Sequence, residues 1–107
     1  MKLLFIVLNS TDQLEEVLEG LIEVGVTGAT VVDSVGMGHI LEEVPLFAGM
    51  RETFRSSKPH NKVIFSVIGD RQAADTLAML DNILACSQQK HKGIAFTMPI
   101  DAAIGVH

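Results

Sequence analysis

Lys90, His91 and Lys92 stand directly before Gly93 and place up to three hydrogen-bond donors in a single turn. Such a cluster could hold an anionic group in a cleft, although a solvated basic loop accounts for the same residues equally well. A second candidate is Gly36-Met37-Gly38-His39. Glycine reaches backbone conformations closed to other residues, so Gly-x-Gly at the end of a strand predicts a sharp turn or a backbone that approaches a ligand closely. His39 beside it would contact that ligand, respond to pH, or serve as a plain surface residue.

Other reactive side chains form no recognisable machinery. His39, His60, His91 and His107 have no metal-ligand spacing among them, so a metal site would need copies brought together in an oligomer. No nucleophile has a base near it in sequence. Asp33 and Ser34 are ordinary at a strand end, Asp70 reads as a helix cap and Asp101 as a turn residue. The lone Cys86 cannot form an internal disulfide, which fits a reducing compartment, and near a helix end it reads as packing. The reading is therefore of a binding protein and not an enzyme.

Composition narrows the partners. A net charge of −5 with eight Lys and Arg leaves no basic face for nucleic acid. Hydrophobic residues make up 48% of the 107 and charged residues 20%, an apolar balance that predicts burial against other subunits. No apolar run approaches the ~18 residues that cross a bilayer. Met1–Leu8 lacks the longer apolar stretch and cleavage site of a signal peptide, so no membrane insertion and a cytoplasmic location are expected.

The elements that must position these residues follow from periodicity. Lys2–Asn9 is a short continuous apolar run suited to a central strand. Ser10 and Gln13 have capping-box spacing, and Leu14, Val17, Leu18, Leu21 and Ile22 then form one helical face until Gly25 stops it. A second strand is expected at Ala29–Val35, a third at Lys62–Ile68, a second long helix from Gly69-Asp70 to about Ala85, and a fourth strand at Gly93–Met98. From Pro99 to Val106 a short tail pairs at an edge or extends toward a neighbour.

Between strands two and three lies a long segment, Gly36 to Asn61, of the kind that is usually functional. Within it Pro45 suits the first position of a short helix over 45–55, with Glu42 and Glu43 as charges favouring its start. Leu46, Phe47, Met50 and Phe54 would share one side of that helix. They would dock a partner or, the reading favoured by the cost of exposing them, fold back on the body or a neighbouring subunit.

The order strand, helix, strand, strand, helix, strand over one domain, residues 1–107, gives an α+β fold: a ferredoxin-like βαββαβ sandwich, its four-stranded antiparallel sheet carrying two helices on one face. Strands apolar on both faces, as Phe5, Ile6, Val7 and Leu8 are, then need a second cover, which sheet-to-sheet association of subunits would supply.

The run Glu23-Val24-Gly25-Val26-Thr27-Gly28-Ala29-Thr30-Val31, followed by Gly36-Met37-Gly38, resembles the nitrogen-regulatory PII family, in which a helix ends in Gly-[Ile/Val]-Thr-Gly-x-Thr. The likeness continues from Gly93-Ile94-Ala95-Phe96 to Asp101-Ala102-Ala103-Ile104 and covers nearly the whole chain in order. It implies a regulatory, signal-transduction protein: a homotrimer whose sheets form a central barrel, with an adenine nucleotide or other small anionic effector in clefts between subunits. It also implies a target protein, such as a membrane transporter or an enzyme, engaged by the loop after strand two. By resemblance the segment of about 36–61 is that signalling loop, Gly28 and Thr30 line the base side of the cleft, and Ser87–Gly93 stands where the family has its phosphate loop.

The departures are specific. His39-Ile40 replaces the family's Arg-Gln, Lys90-His91-Lys92-Gly93 replaces Gly-Asp-Gly-Lys, and Ile104-Gly105-Val106-His107 stands where the family has arginines. No tyrosine is present to be uridylylated. The chain reads as a PII-like relative, with a metal-binding or small-molecule-converting oligomer on the same fold as the rival and a ligand-free structural oligomer as the third alternative.

Overall fold

The computed structural model describes residues 1–9, 11–46, 61–85 and 93–106. Strand β1 (Lys2–Leu8) alternates strictly, with Leu4, Ile6 and Leu8 fully buried and Leu3, Phe5 and Val7 on the opposite side. A single 3-10 turn (Thr11–Gln13) leads into helix α1 (Leu14–Glu23), and strand β2 (Thr30–Ser34) follows. Next come helix α2 (Met37–Glu42), strand β3 (Asn61–Ile68), helix α3 (Asp70–Ala85) and strand β4 (Gly93–Pro99).

The sheet runs β2-β3-β1-β4, and every pair is antiparallel. β3 and β1, both apolar on both faces, are the two inner strands, while the shorter, exposed β2 takes an edge. This is the ferredoxin-like α+β sandwich expected from the element order. Both long helices cover one face: Val17 and Leu21 of α1 with Ala73 and Leu80 of α3 close over Leu4, Ile6, Leu8, Ile64 and Ile68. Each large side chain removed from water there contributes about 1.5–3 kcal/mol. Gly20 lets the helices meet closely, since a Cβ there would lie 2.5 Å from the Met79 sulfur.

Among the described residues the opposite face carries no helix. Phe65, Phe5 and Phe96 are in register across β3, β1 and β4, and the Phe5 and Phe96 rings stack with centroids 5.3 Å apart. Val67, Met98, Ile94 and Val32 extend this surface, all exposed. A contiguous apolar face of this breadth is what an oligomer interface requires.

Several sequence expectations are corrected at the ends of the elements. Gln13 does not close a capping box: it stands at the N-cap without a capping hydrogen bond, and its Nε2 donates to the Ile83 carbonyl at 2.9 Å, tying α1 to α3. Ser10 lies outside the described residues. Gly25 does stop α1, with φ +90°. Val26 N–H reaches Leu21 O at 2.8 Å and Gly25 N–H reaches Ile22 O at 3.0 Å, with Leu21 and Val26 buried together: a Schellman closure. Strand β2 is one residue shorter at each end than the expected Ala29–Val35.

The largest difference is α2. The expected loop folds into a helix straight after Gly36, whose φ of −74° and ψ of 152° are ordinary extended values, and Gly38 lies inside that helix without positive φ. The Gly-x-Gly pair therefore supplies no unusual backbone conformation. Met, Leu and Glu are good helix formers, and one internal glycine costs only about 1 kcal/mol against alanine. Glu43 caps the C-terminal end of α2. Of the helix expected over 45–55, only Pro45 and Leu46 fall within the described residues, and Leu46 is 83% exposed.

Candidate functional site

A cleft of about 650 Å³ opens at the end of the sheet where β2 starts and β3 finishes. One wall is the link from α1 to β2, Gly25 to Thr30. The floor is the last turn of β3 from Phe65 to Ile68, and Gly69 and Gln72 at the start of α3 close one side. Met1, Gly105 and Val106 complete it. The tail thus bends back to the cleft after Ile100 N–H pairs with Met1 O at 3.3 Å, while Ile104 points out, 98% exposed.

The wall is held through its carbonyls. Gln72 Nε2 donates to Gly25 O at 3.0 Å, and the same side chain accepts from Gly69 N–H through Oε1 at 2.9 Å. The Ser66 hydroxyl, on the buried row of β3, donates to Gly28 O. Gly28 has no positive φ, and a Cβ built on it would meet nothing within 4 Å. Its lack of a side chain is not required by its own chain and leaves the wall flat. Thr27 and Thr30 are exposed beside it.

Asp70, expected as a helix cap, is the first residue inside α3 instead. Its carboxylate receives the α-amino group of Met1 at 3.0 Å. That hydrogen bond, then the ammonium charge, hold the carboxyl below its usual range, with Lys2 helping and desolvation opposing.

The second group of expected site residues lies at the other end of the sheet. Ser34 pairs with Asn61, and Leu8 with both Lys62 and Gly93. Gly36, Gly38 and His39 follow Ser34 there, and Gly93, the residue after Lys92, starts β4 at that end. With ~3.3 Å per strand residue, the path from Thr30 to Gly36 covers roughly 20 Å. Gly28 and Thr30 are thus together in the cleft, while Gly36, Gly38 and His39 are together far from it. Gly36 packs against Asn61, whose Nδ2 would lie 3.2 Å from an added Cβ. His39 Nε2 lies 4.0 Å from Glu43 Oε1. Lys90, His91 and Lys92, like Phe47, Met50, Phe54 and Cys86, lie outside the described residues.

Asp33 and Lys62 form a cross-strand ion pair on β2 and β3. A second hollow of about 540 Å³ between α3 and β4 is lined mainly by Leu77, Leu80, Leu84 and Ile94. Among the described residues no group of three or more His, Cys, Asp or Glu could hold a metal ion, and no helix is long and apolar enough to cross a membrane.

Sequence reasoning missed Ser66 and Gln72. A hydroxyl interrupting the row of Ile64 and Ile68 was a signal available in principle, because a buried polar group needs a partner. Gln72 gave no such signal, since a glutamine in the first turn of a helix is commonplace.

The chain is thus a ferredoxin-like sandwich with a backbone-walled cleft at one sheet end and a long β2–β3 connection at the other. The family model described as Nitrogen regulatory protein P-II matches residues 1–107, and the chain belongs to that family, whose general role is regulatory signal transduction. No curated protein shows a significant match to the chain.

Proposed function

We propose that this protein is a cytoplasmic PII-like regulator, a homotrimer that binds a small anionic effector, an adenine nucleotide, between subunits and signals through its 36–61 segment to a target protein such as a transporter or an enzyme. The observation that carries this reading is the separation of the two candidate groups. Gly28 and Thr30 occupy a cleft at one end of β2, while Gly36, Gly38, His39 and the residue following Lys90–Lys92 belong to the other end. One chain cannot close both around a single small molecule. A neighbour placed by rotation can, because a ring of heterologous contacts sets different edges of identical copies against each other.

The uncovered face supports the same arrangement, since Phe5, Phe65 and Phe96 would be buried by the sheets of adjacent copies. In such a site Gly28 and Thr30 would face the base, and Lys90, His91 and Lys92 of the next subunit the phosphates. Ligand-dependent ordering of the 36–61 segment would then change the surface that Leu46, Phe47, Met50 and Phe54 offer to the target.

Thermal-shift measurements with ATP, ADP and divalent metals, beside light scattering for mass, test the proposal. Stabilisation of a trimer by nucleotide is the expected result. A monomer, or a trimer stabilised by metal alone, would refute it, the latter in favour of a metal-handling oligomer.

A further inference from the structure

The wall of the cleft is irregular backbone with little of its own to keep its shape. Between the end of α1 and the first residue of β2, Thr27, Gly28 and Ala29 are all exposed. The N–H groups of Gly25 and Val26 close back on α1, but the wall's carbonyls at Gly25 and Gly28 are held from elsewhere in the chain. Gln72, 47 residues away, takes Gly25 O, and Ser66, 38 residues away, takes Gly28 O. Gln72 also spends its Oε1 on Gly69 N–H at 2.9 Å, so one amide group joins the turn that ends α1 to the turn that begins α3.

A planar trans peptide points its carbonyl and the following N–H in opposite directions. Fixing Gly28 O onto Ser66 therefore also sets the direction of the Ala29 N–H. Fixing Gly25 O onto Gln72 agrees with the direction of Val26 N–H, which reaches back to Leu21 O at 2.8 Å. The two side chains, which also line the cleft, thus decide which way the wall's backbone groups face.

We infer that Ser66 and Gln72 are positioning residues that hold the Gly25–Gly28 wall in the shape that receives the effector; the effector part of this inference rests on the function proposed above. A wall released from one of them samples other shapes, and apparent affinity falls with the fraction that remains competent. For the loss of one hydrogen bond of ordinary strength, a weakening of about five- to tenfold is expected.

The test uses the full chain with Ser66→Ala, Gln72→Met, and the conservative Ser66→Thr, which keeps the hydroxyl. Amide exchange without ligand is measured over the segment 24–31 and over β1 and β3, and ATP is titrated calorimetrically into each protein. Ser66→Ala and Gln72→Met are expected to speed exchange in 24–31 while β1 and β3 stay protected, and to weaken ATP about five- to tenfold, with Ser66→Thr close to wild type. Unchanged exchange in 24–31, or equal loosening of β1 and β3, would overturn the inference. So would a selectively loosened wall that binds ATP as tightly as wild type. A wild-type protein that ignores ATP would refute the effector reading of the cleft, and selective loosening in the same variants would still support the positioning role.

Discussion

Replacing Gly93 by alanine should unfold this protein at a markedly lower temperature, and the size of the effect can be worked from its surroundings. Gly93 opens β4 at φ +136°, a region that an L side chain seldom adopts. A Cβ there would lie 2.2 Å from the Val7 carbonyl oxygen and 3.3 Å from Leu8 Cα, both main-chain atoms of the central strand. Neither can rotate out of the way, so the start of β4 must move by roughly 1 Å to restore ordinary contact. The unfavourable φ costs about 1–3 kcal/mol, and weakening the pairing at the end of β4 adds about 0.5–1.5 kcal/mol. The expected loss is about 2–4 kcal/mol, or a fall in Tm of about 10–30 °C for a domain of this size.

Calorimetric or circular-dichroism melts at one fixed protein concentration measure it, since association would shift Tm by mass action. Gly28→Ala is the control: its φ is ordinary and the space beside it is empty, so its stability should stay within about 0.5 kcal/mol of wild type. A Gly93→Ala protein melting within about 2 °C of wild type, or a Gly28→Ala protein losing as much as Gly93→Ala, would refute the reasoning.

Phe96→Glu sets a charge among the rings of the uncovered face and should convert the proposed trimer to monomer, read as mass by light scattering, while the helix-covered core stays folded. Changing Lys90 and Lys92 together to alanine should weaken nucleotide binding in calorimetry, and unchanged affinity would make that turn a solvated basic loop. Asp70, whose carboxyl is depressed by the Met1 ammonium, supplies stability that is present above its unfolded pKa of about 3.9 and is lost as pH falls through its lower folded value. Asp70→Asn should therefore narrow the gap to wild type as acid melts are taken to lower pH, and a constant gap would exclude the linkage.

The parts of the fold written in alternation or in helical spacing were legible. β1, α1, β3 and α3 carry long, unambiguous patterns, and their order determines the sandwich. α2 was not legible, because six residues with a glycine inside them give less than two turns of pattern. The capping box misled because Gln13 had a better use: a carbonyl of α3 that only the folded chain brings near. Gly28 and Thr30 could be singled out from the motif that contains them. Their distance from Gly36 and His39 was implicit too, since the two groups flank one expected strand, whereas the meeting of Gly93 with the far end of β2's partner strands depends on how the strands pair. Ser66 and Gln72 act across 38 and 47 residues of sequence, and no local pattern records a partner that far away.

The aromatic row across β3, β1 and β4 also bears on how the molecule is made. A chain fresh from synthesis carries that band bare, and its fate depends on what reaches the band first: a sister copy gives an assembly, a misfolded stranger gives a precipitate. If copies of the chain cover that band, yield should follow the rate at which finished copies meet, so production of many copies close together would favour soluble protein.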